Sequence, residues 1–197
     1  DHTTASAEVA REVAQAAADK GIGFLDAPVS GGQNGAEAGT LTIMVGGDEA
    51  VFERARPAMA CYGRAVTLMG PVGAGQLTKM CNQICCVGII QSLAEALHFA
   101  ERAGLDAARV IEVISKGAAQ SWQMDNRAGT MIENKFAGFG FAAQWMHKDL
   151  GIVLAEARRN GALVPGTHLI EQLYTRLLAR DGGRLDNTAL LTLLREA

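Results

Sequence analysis

The sequence predicts two parts, an α/β region over residues 1–70 and an all-helical region over residues 71–197. Before Val72, three short apolar segments alternate with segments of helical pattern, which is typical of parallel α/β architecture. After Val72, apolar residues recur at helical spacing and no further strand pattern occurs. Because three strands are few for a doubly wound sheet, we expect the first part to be the trailing portion of one.

Strand and cap patterns define the elements of the first part. A helix is expected within the alanine-rich residues 5–20, which Gly21 ends. Asp48 is a suitable N-cap for a second helix, which runs to Met59. The strands are expected at 21–29, 40–47 and 64–70.

A long helix from Gly75 to Ala103 is expected to open the second part. It is apolar on nearly every face through residues 84–90, so we expect it to be buried on several sides. Shorter helices follow, separated by Asp, Ser, Asn, Gly and Pro residues that cap or stop helices. They are predicted at 106–116, 121–133, 142–159, 165–180 and 187–195.

Composition argues against several classes of partner. The formal net charge is -3 with no cluster of Lys and Arg, so we expect neither nucleic acid nor an anionic membrane as a partner. The longest strictly apolar run covers only residues 84–90, whereas a membrane span needs about 20 residues, so no span is expected.

The cysteines lie in apolar surroundings, which predicts buried free thiols, a reducing compartment and a cytoplasmic location. They are Cys61, Cys81, Cys85 and Cys86. No Cys or His pair with the spacing of a metal site completes a ligand set, so no metal is expected.

The segment Ser30, Gly31 and Gly32 follows the first predicted strand. Ligands bind at the carboxyl ends of the strands in open α/β sheets. A serine hydroxyl and two glycines let polar groups of the side chain and backbone approach an anion, which suits a carboxylate. The alternative is an ordinary strand-to-helix turn, since glycine-rich turns are common there.

Lys79 and Asn82 lie three residues apart near the start of the long helix and therefore share one of its faces. Burial lowers the pKa of a lysine, which can then exchange a proton nearer neutral pH, and Asn82 can donate to a substrate oxygen beside it. The alternative is a lysine whose stem lies on the apolar helix while its ammonium reaches water.

A third segment, residues 141–150, holds Phe141 and Lys148. Lys148 can face a site, and Phe141 can line a pocket. The alternative is a solvated pair of Lys148 and Asp149 on an amphipathic helix, with the neighbouring Trp and Met packed in the core.

Taken together, these segments resemble the 3-hydroxyisobutyrate dehydrogenase family, the β-hydroxyacid dehydrogenases. The resemblance covers essentially the whole chain and rests on motifs in matching order. They are DHTT (1–4), DAPVSGG (26–32), GTLTIMVGG (39–47), GPVGAGQLTKMCNQ (70–83) and HKDLG (147–151). The resemblance implies the trailing part of a Rossmann-type parallel sheet, followed by an all-helical domain like the C-terminal domain of 6-phosphogluconate dehydrogenase.

The resemblance also implies an activity, hydride transfer between NAD or NADP and a small β-hydroxy acid or its semialdehyde. Lys79 would be the catalytic acid/base, and Asn82 would help to hold the substrate. Ser30, Gly31 and Gly32 would bind the substrate carboxylate.

For the cofactor, the resemblance implies contacts from Thr4 and Lys148, with Phe141 lining the pocket beside them. Gln83 departs from many members of the family, which have a second Asn there. The Gly-x-Gly-x-x-Gly turn and the residue that selects NAD or NADP would lie before Asp1. Since the chain also opens without an initiator Met or a signal-like stretch, we expect a fragment that binds the cofactor poorly by itself.

Three other interpretations stay open: a related imine reductase, a 6-phosphogluconate dehydrogenase and a non-catalytic module that dimerises or binds partners. The pair Lys79 and Asn82 argues against many imine reductases, and no basic cluster suits a sugar phosphate. A non-catalytic scaffold has no need of Lys79, Asn82 and Ser30 together. The apolar residues 84–90 and the exposed sheet edge predict a homodimer or homotetramer built through the helical region.

Overall fold

A computed structural model of the protein describes residues 1–196. The chain forms two compact units, one over residues 1–82 and one from Gln83 onward. The first unit holds α1 (Ala7–Ala18), β1 (Leu25–Asp26), β2 (Val29–Ser30), α2 (Gly32–Glu37), β3 (Leu41–Gly47), α3 (Glu49–Met59), β4 (Gly63–Gly70) and the first turns of α4 (Ala74–Arg102). The second unit holds the rest of α4, α5 (Ala107–Ile114), α6 (Trp122–Ile132), α7 (Ala143–Asn160), α8 (Pro165–Leu178) and α9 (Leu190–Arg195).

β3 is the central strand of the sheet in the first unit. β4 pairs with β3 in parallel, whereas β1 and β2 both pair with it antiparallel. The predicted parallel pairing is therefore correct for β3 and β4, and wrong for the strand expected at 21–29. That segment forms two short strands separated by Ala27 and Pro28, because proline has no N–H to donate to a sheet. The apolar pattern predicts burial of a strand but not its direction.

Local side-chain caps set the helix starts as the sequence predicts. Asp48 accepts a hydrogen bond from the Val51 N–H at 3.0 Å and begins α3. Ser121 accepts one from the Met124 N–H at 3.1 Å and begins α6. Each cap satisfies an N–H group that has no partner within its own helix.

The second unit is helical among the described residues 83–196, apart from one isolated bridge between Ala142 and Asp186. The predicted all-helical part is thus confirmed, and the predicted shorter helices correspond to α5 through α9. Its core packs apolar side chains of several helices together. They include Val87, Ile90, Leu93 and Leu97 of α4, Met146 and Leu150 of α7, and Tyr174 of α8.

One side of α4 is more exposed than its apolar sequence predicts. Ile89 and Phe99 are 39% and 72% exposed. By length and composition α4 can span a membrane, yet its buried side chains form the core of the second unit. A nearly continuous apolar run covers every face of a helix, so it does not show which face packs inward.

None of the four cysteines forms a disulfide, and the expectation that they are buried is wrong. Cys61, Cys81 and Cys85 are exposed and Cys86 is half-buried. Cys81 and Cys85 are one turn apart on α4, so they share a face that their apolar neighbours in sequence do not cover. Among residues 1–196, no three His, Cys, Asp or Glu side chains are close enough to hold a metal ion together.

Candidate active site

A buried carboxylate joins the sheet of the first unit to the start of α4. Asp26 of β1 is fully buried. Its Oδ1 accepts a hydrogen bond from the Gly73 N–H at 2.7 Å, and its Oδ2 accepts one from the Gln76 N–H at 2.9 Å. N–H groups at a helix start lack partners within the helix, and a negative charge there is favourable. Asp26 therefore fixes the helix that carries Lys79.

Gln76 attaches the DHTT segment to the same helix start. Its side chain is 1% exposed, its Nε2 donates to the Thr3 carbonyl at 2.7 Å, and its Oε1 accepts from the Ala5 N–H at 3.0 Å. Thr4 lies between these two contacts and is half-buried. The backbone on both sides of Thr4 is thus held against α4.

Two glycines make room for this junction. A Cβ atom at Gly46 would lie 2.4 Å from the Asp26 Oδ1, and one at Gly75 would lie 2.5 Å from the carbonyl oxygens of Asp26 and Met44. Either contact is too short for a side chain. The close approach of β1, β3 and α4 therefore requires glycine at both positions.

Lys79 is largely buried in α4. Only 8% of the residue is exposed, and Asn82, three positions on, is half-buried. Helical spacing places both residues on one face. Most of the Lys79 side chain is therefore covered by protein. A buried amine is the type of group that can carry a proton in general acid/base catalysis.

Ser30, Gly31 and Gly32 lie at the end of β2, where Ser30 pairs with Thr42 of β3. Gly31 and Gly32 have φ angles of 130° and 60°, which favour glycine. A side chain at Gly32 would meet no atom within 4 Å, so the space beside it is open. The segment thus combines a hydroxyl, backbone N–H groups and open space, as a small carboxylate requires.

Phe141 and Lys148 belong to the second unit. Phe141 is half-buried just before α7, and its N–H donates to the Asp186 Oδ2 at 2.9 Å. Asp186 is fully buried, so it fixes the backbone at Phe141. The Lys148 side chain is 42% exposed, and its Nζ lies 3.0 Å from the Asp149 Oδ1.

The chain matches two sequence-family models over nearly its whole length. Residues 1–70 match the NAD binding domain of 6-phosphogluconate dehydrogenase, and residues 73–194 match the NAD-binding domain of NADP-dependent 3-hydroxyisobutyrate dehydrogenase. A 3-hydroxyisobutyrate dehydrogenase of Pseudomonas aeruginosa is 41% identical over 182 residues, which cover 89% of this chain and 61% of that protein. The chain belongs to the 3-hydroxyisobutyrate dehydrogenase family.

Two further relatives of this 3-hydroxyisobutyrate dehydrogenase family member extend the comparison. An uncharacterized oxidoreductase of Shewanella frigidimarina is 58% identical over the whole chain and 67% of its own length. The solved structure of the Mycobacterium tuberculosis 3-hydroxyisobutyrate dehydrogenase with L-serine matches at a TM-score of 0.89 and 34% identity, over 99% of this chain and 69% of that one. The chain spans 58 to 67% of the length of the first four curated relatives it matches. The family expected from the sequence motifs is therefore confirmed.

Sequence reasoning left two buried carboxylates of this family member without a role. Asp26 opens the DAPVSGG motif, and Asp149 follows Lys148 in HKDLG. Asp149 is 2% exposed, so the expectation of a solvated pair holds for Lys148 but not for Asp149. The signal was present for Asp149, because helical spacing places it on the face of α7 that carries the buried Met146 and Val153.

Proposed function

We propose that the protein containing this chain transfers a hydride between NAD or NADP and a small β-hydroxy acid or its semialdehyde. The observation that carries this proposal is the burial of Lys79, 8% exposed, on the face of α4 that also holds Asn82. The names of the relatives support the substrate class. 3-Hydroxyisobutyrate and L-serine each carry a hydroxyl on the carbon β to a carboxylate.

In this proposal Lys79 moves the proton of the substrate hydroxyl. Its neutral amine accepts that proton during oxidation, and its ammonium returns it during reduction. Asn82 donates a hydrogen bond to a substrate oxygen beside Lys79. Ser30, Gly31 and Gly32 hold the carboxylate, which orients the reacting carbon, and such positioning can supply a large part of the rate.

Thr4 and Lys148 would hold the cofactor, with Phe141 lining the pocket at its nicotinamide end. The Thr4 hydroxyl and the Lys148 ammonium suit a dinucleotide cofactor, because both groups donate hydrogen bonds to its amide, ribose and phosphate oxygens. The contacts of Gln76 on either side of Thr4 give that position a fixed backbone. When bound, the cofactor supplies the hydride chemistry.

An assay of the full-length protein with NAD and NADP tests this function. Oxidation is measured with 3-hydroxyisobutyrate and L-serine, and reduction with tartronate semialdehyde, glyoxylate and succinic semialdehyde, by the absorbance of the reduced cofactor. We expect turnover of at least one β-hydroxy acid or semialdehyde. No turnover in the whole panel would contradict the proposal and favour the non-catalytic module. A cyclic imine is added to the reduction assay, and turnover of this imine alone would contradict the proposal in favour of an imine reductase.

We also propose the domain organisation, assembly and location that the sequence predicts. The two domains are residues 1–70 and 71–197, which the separate family matches over 1–70 and 73–194 support.

The exposed apolar side chains Ile89 and Phe99 on α4 support a homodimer or homotetramer formed through the helical domain. The free thiols support a reducing compartment, the cytoplasm.

A further inference from the structure

We propose that Asp26 is a positioning residue for the reaction, which sets the place of Lys79 relative to the Ser30–Gly32 segment. This inference rests on the proposed function of Lys79 and Ser30–Gly32. Asp26 touches neither substrate nor cofactor in this proposal, and it acts through the helix start to which both of its carboxylate oxygens are bound.

Asp26 is connected to both groups that the reaction uses, to one through α4 and to the other through the chain. Towards α4, its oxygens accept the N–H groups of Gly73 and Gln76, and Lys79 follows Gln76 by less than one turn. Along the chain, Ser30 of β2 follows only four residues later. One buried side chain therefore links the proton carrier to the carboxylate anchor.

The segment between Asp26 and Ser30 is itself fixed to β3. The Met44 N–H donates to the Pro28 carbonyl at 3.0 Å, and Ser30 pairs with Thr42 in the antiparallel ladder. A shift of α4 relative to Asp26 would therefore not be followed by Ser30. The Asp26 contacts are the side-chain link that determines the offset between the helix and this strand.

Asp26 differs from the side chains that cap α1, α3, α5 and α6. Ser6, Asp48, Asp106 and Ser121 each bond an N–H two or three residues further along, at exposed or half-buried positions. Asp26 is fully buried and bonds N–H groups 47 and 50 residues away. Burial of a carboxylate is costly, and a local cap would provide an acceptor for the N–H groups at the helix start without it. The long-range contact serves the placement of α4 against the sheet.

Glycine at positions 46 and 75 lets the junction pack closely around Asp26. Cβ atoms at these positions would lie within 2.4 to 2.5 Å of Asp26 atoms. The backbones of β3 and α4 therefore approach Asp26 more closely than any residue with a side chain would allow. In enzymes, a displacement of about 1 Å at the reacting groups can cost on the order of a hundredfold in rate. A junction packed this closely limits such displacement.

The test is a double-mutant cycle in the full-length protein with Asp26→Asn and Lys79→Ala. Asparagine has nearly the shape of aspartate, but its NH2 group cannot accept the second N–H. We expect Asp26→Asn to lower kcat at least about tenfold in the wild-type background, as misplacement of a reacting group does. In the Lys79→Ala background we expect Asp26→Asn to change kcat by no more than about twofold, since the amine that it would displace is then absent. The Michaelis constant for the cofactor should be unchanged.

Asp48→Asn is the matched control, because Asp48 also caps a helix in the first unit and asparagine caps equally well. Its kcat should equal that of the wild type. A purely structural role of Asp26 would lower activity by the same factor in both backgrounds, through the folded fraction, and that result would overturn the proposal. Wild-type kcat in Asp26→Asn would also overturn it.

A variant that is too unstable to purify does not end the test. Asp26→Ser keeps one acceptor oxygen in a smaller side chain and enters the same cycle at low temperature. If neither variant folds, Asp26 belongs to folding and the proposal is wrong. Absence of all hydroxy-acid turnover in the wild type would instead contradict the proposed function itself, so the two failures are distinguishable.

Discussion

The Gln83 side chain donates a hydrogen bond to the buried Asp149 carboxylate, with Nε2 2.6 Å from Oδ2. The Lys148 ammonium lies 3.0 Å from the other oxygen, Oδ1. A carboxylate that is 2% exposed needs a hydrogen-bond donor or an ion-pair partner, because an unpaired buried charge is costly. Gln83, which stands where many family members have Asn, thus supports a charge in the middle of the second unit.

Gln83→Ala should lower the free energy of unfolding by about 1–3 kcal/mol, the usual cost of leaving a buried polar partner unsatisfied. Urea unfolding at neutral pH measures the change. Gln15→Ala is the matched control, since Gln15 bonds the exposed Asp19 and its removal should change stability by less than about 0.5 kcal/mol. Equal effects of the two substitutions would contradict the importance of the Gln83 contact.

Tyr174 should make stability fall at alkaline pH. It is fully buried, its hydroxyl donates to the Asn187 carbonyl at 2.9 Å, and burial, helped by the Asp186 charge, raises the pKa of Tyr174 well above 10. The unfolded tyrosine ionises near pH 10 while the folded one stays neutral, so its contribution is complete below about pH 10 and is lost as the pH rises further.

Tyr174→Phe measures this contribution. Near neutral pH the variant should be less stable than the wild type by about 0.5–1.5 kcal/mol, because one hydrogen bond is lost. The difference should narrow as the pH rises above about 10, because ionisation then favours only the unfolded wild type. A difference that stays constant over this range would show that the folded tyrosine ionises normally, and one that widens would show that folding lowers its pKa.

Local signals in the sequence predict much of this fold. Asp48 and Ser121 cap α3 and α6 as expected, because a capping side chain bonds N–H groups within its own next turn. The antiparallel direction of β1 and the bonds from Asp26 to α4 were not predicted. Those features depend on partners 20 or more residues away, and spacing along the chain carries no information about them.

The candidate site also contains residues that the sequence predicts and residues that it does not. The motifs and helical spacing predict which residue types can bind an anion or carry a proton, so Ser30, Lys79 and Asn82 are found in the sequence. The residues that fix them are not, because Gln76 and Asp26 look like ordinary polar residues until their burial is known. Their roles depend on depth below the surface, which composition does not determine.

Ser30→Ala should act mainly on substrate binding. A group that holds the carboxylate contributes equally in the ground and transition states, so the Michaelis constant rises while kcat changes little. Steady-state kinetics with the substrate identified by the panel measure both values. Ser92→Ala, at an exposed position on α4, is the control and should leave both constants unchanged. A loss confined to kcat would contradict the role of Ser30 as an anchor.

Phe99→Asp should weaken self-association. Phe99 is 72% exposed on α4, and a charge at this position would have to be buried without a partner in an interface. Sedimentation velocity at micromolar concentration should show a dimer or tetramer for the wild type and a smaller species for the variant. Leu163→Asp, at a 95% exposed position in the turn before α8, should leave the assembly intact. A wild-type monomer would contradict the proposed assembly.

The most direct test of the central claim is the kcat of Lys79→Ala in the full-length protein, measured with a substrate from the panel. If Lys79 carries the proton, kcat should fall by about 10²- to 10⁴-fold while cofactor affinity barely changes. Lys79→Arg should not restore activity, because a guanidinium stays protonated and cannot accept the hydroxyl proton. Lys116→Ala, at an exposed lysine of the second unit, should retain wild-type kcat. If Lys79→Ala keeps more than about a tenth of the wild-type kcat, Lys79 is not the proton carrier, since general acid/base catalysis contributes a larger factor.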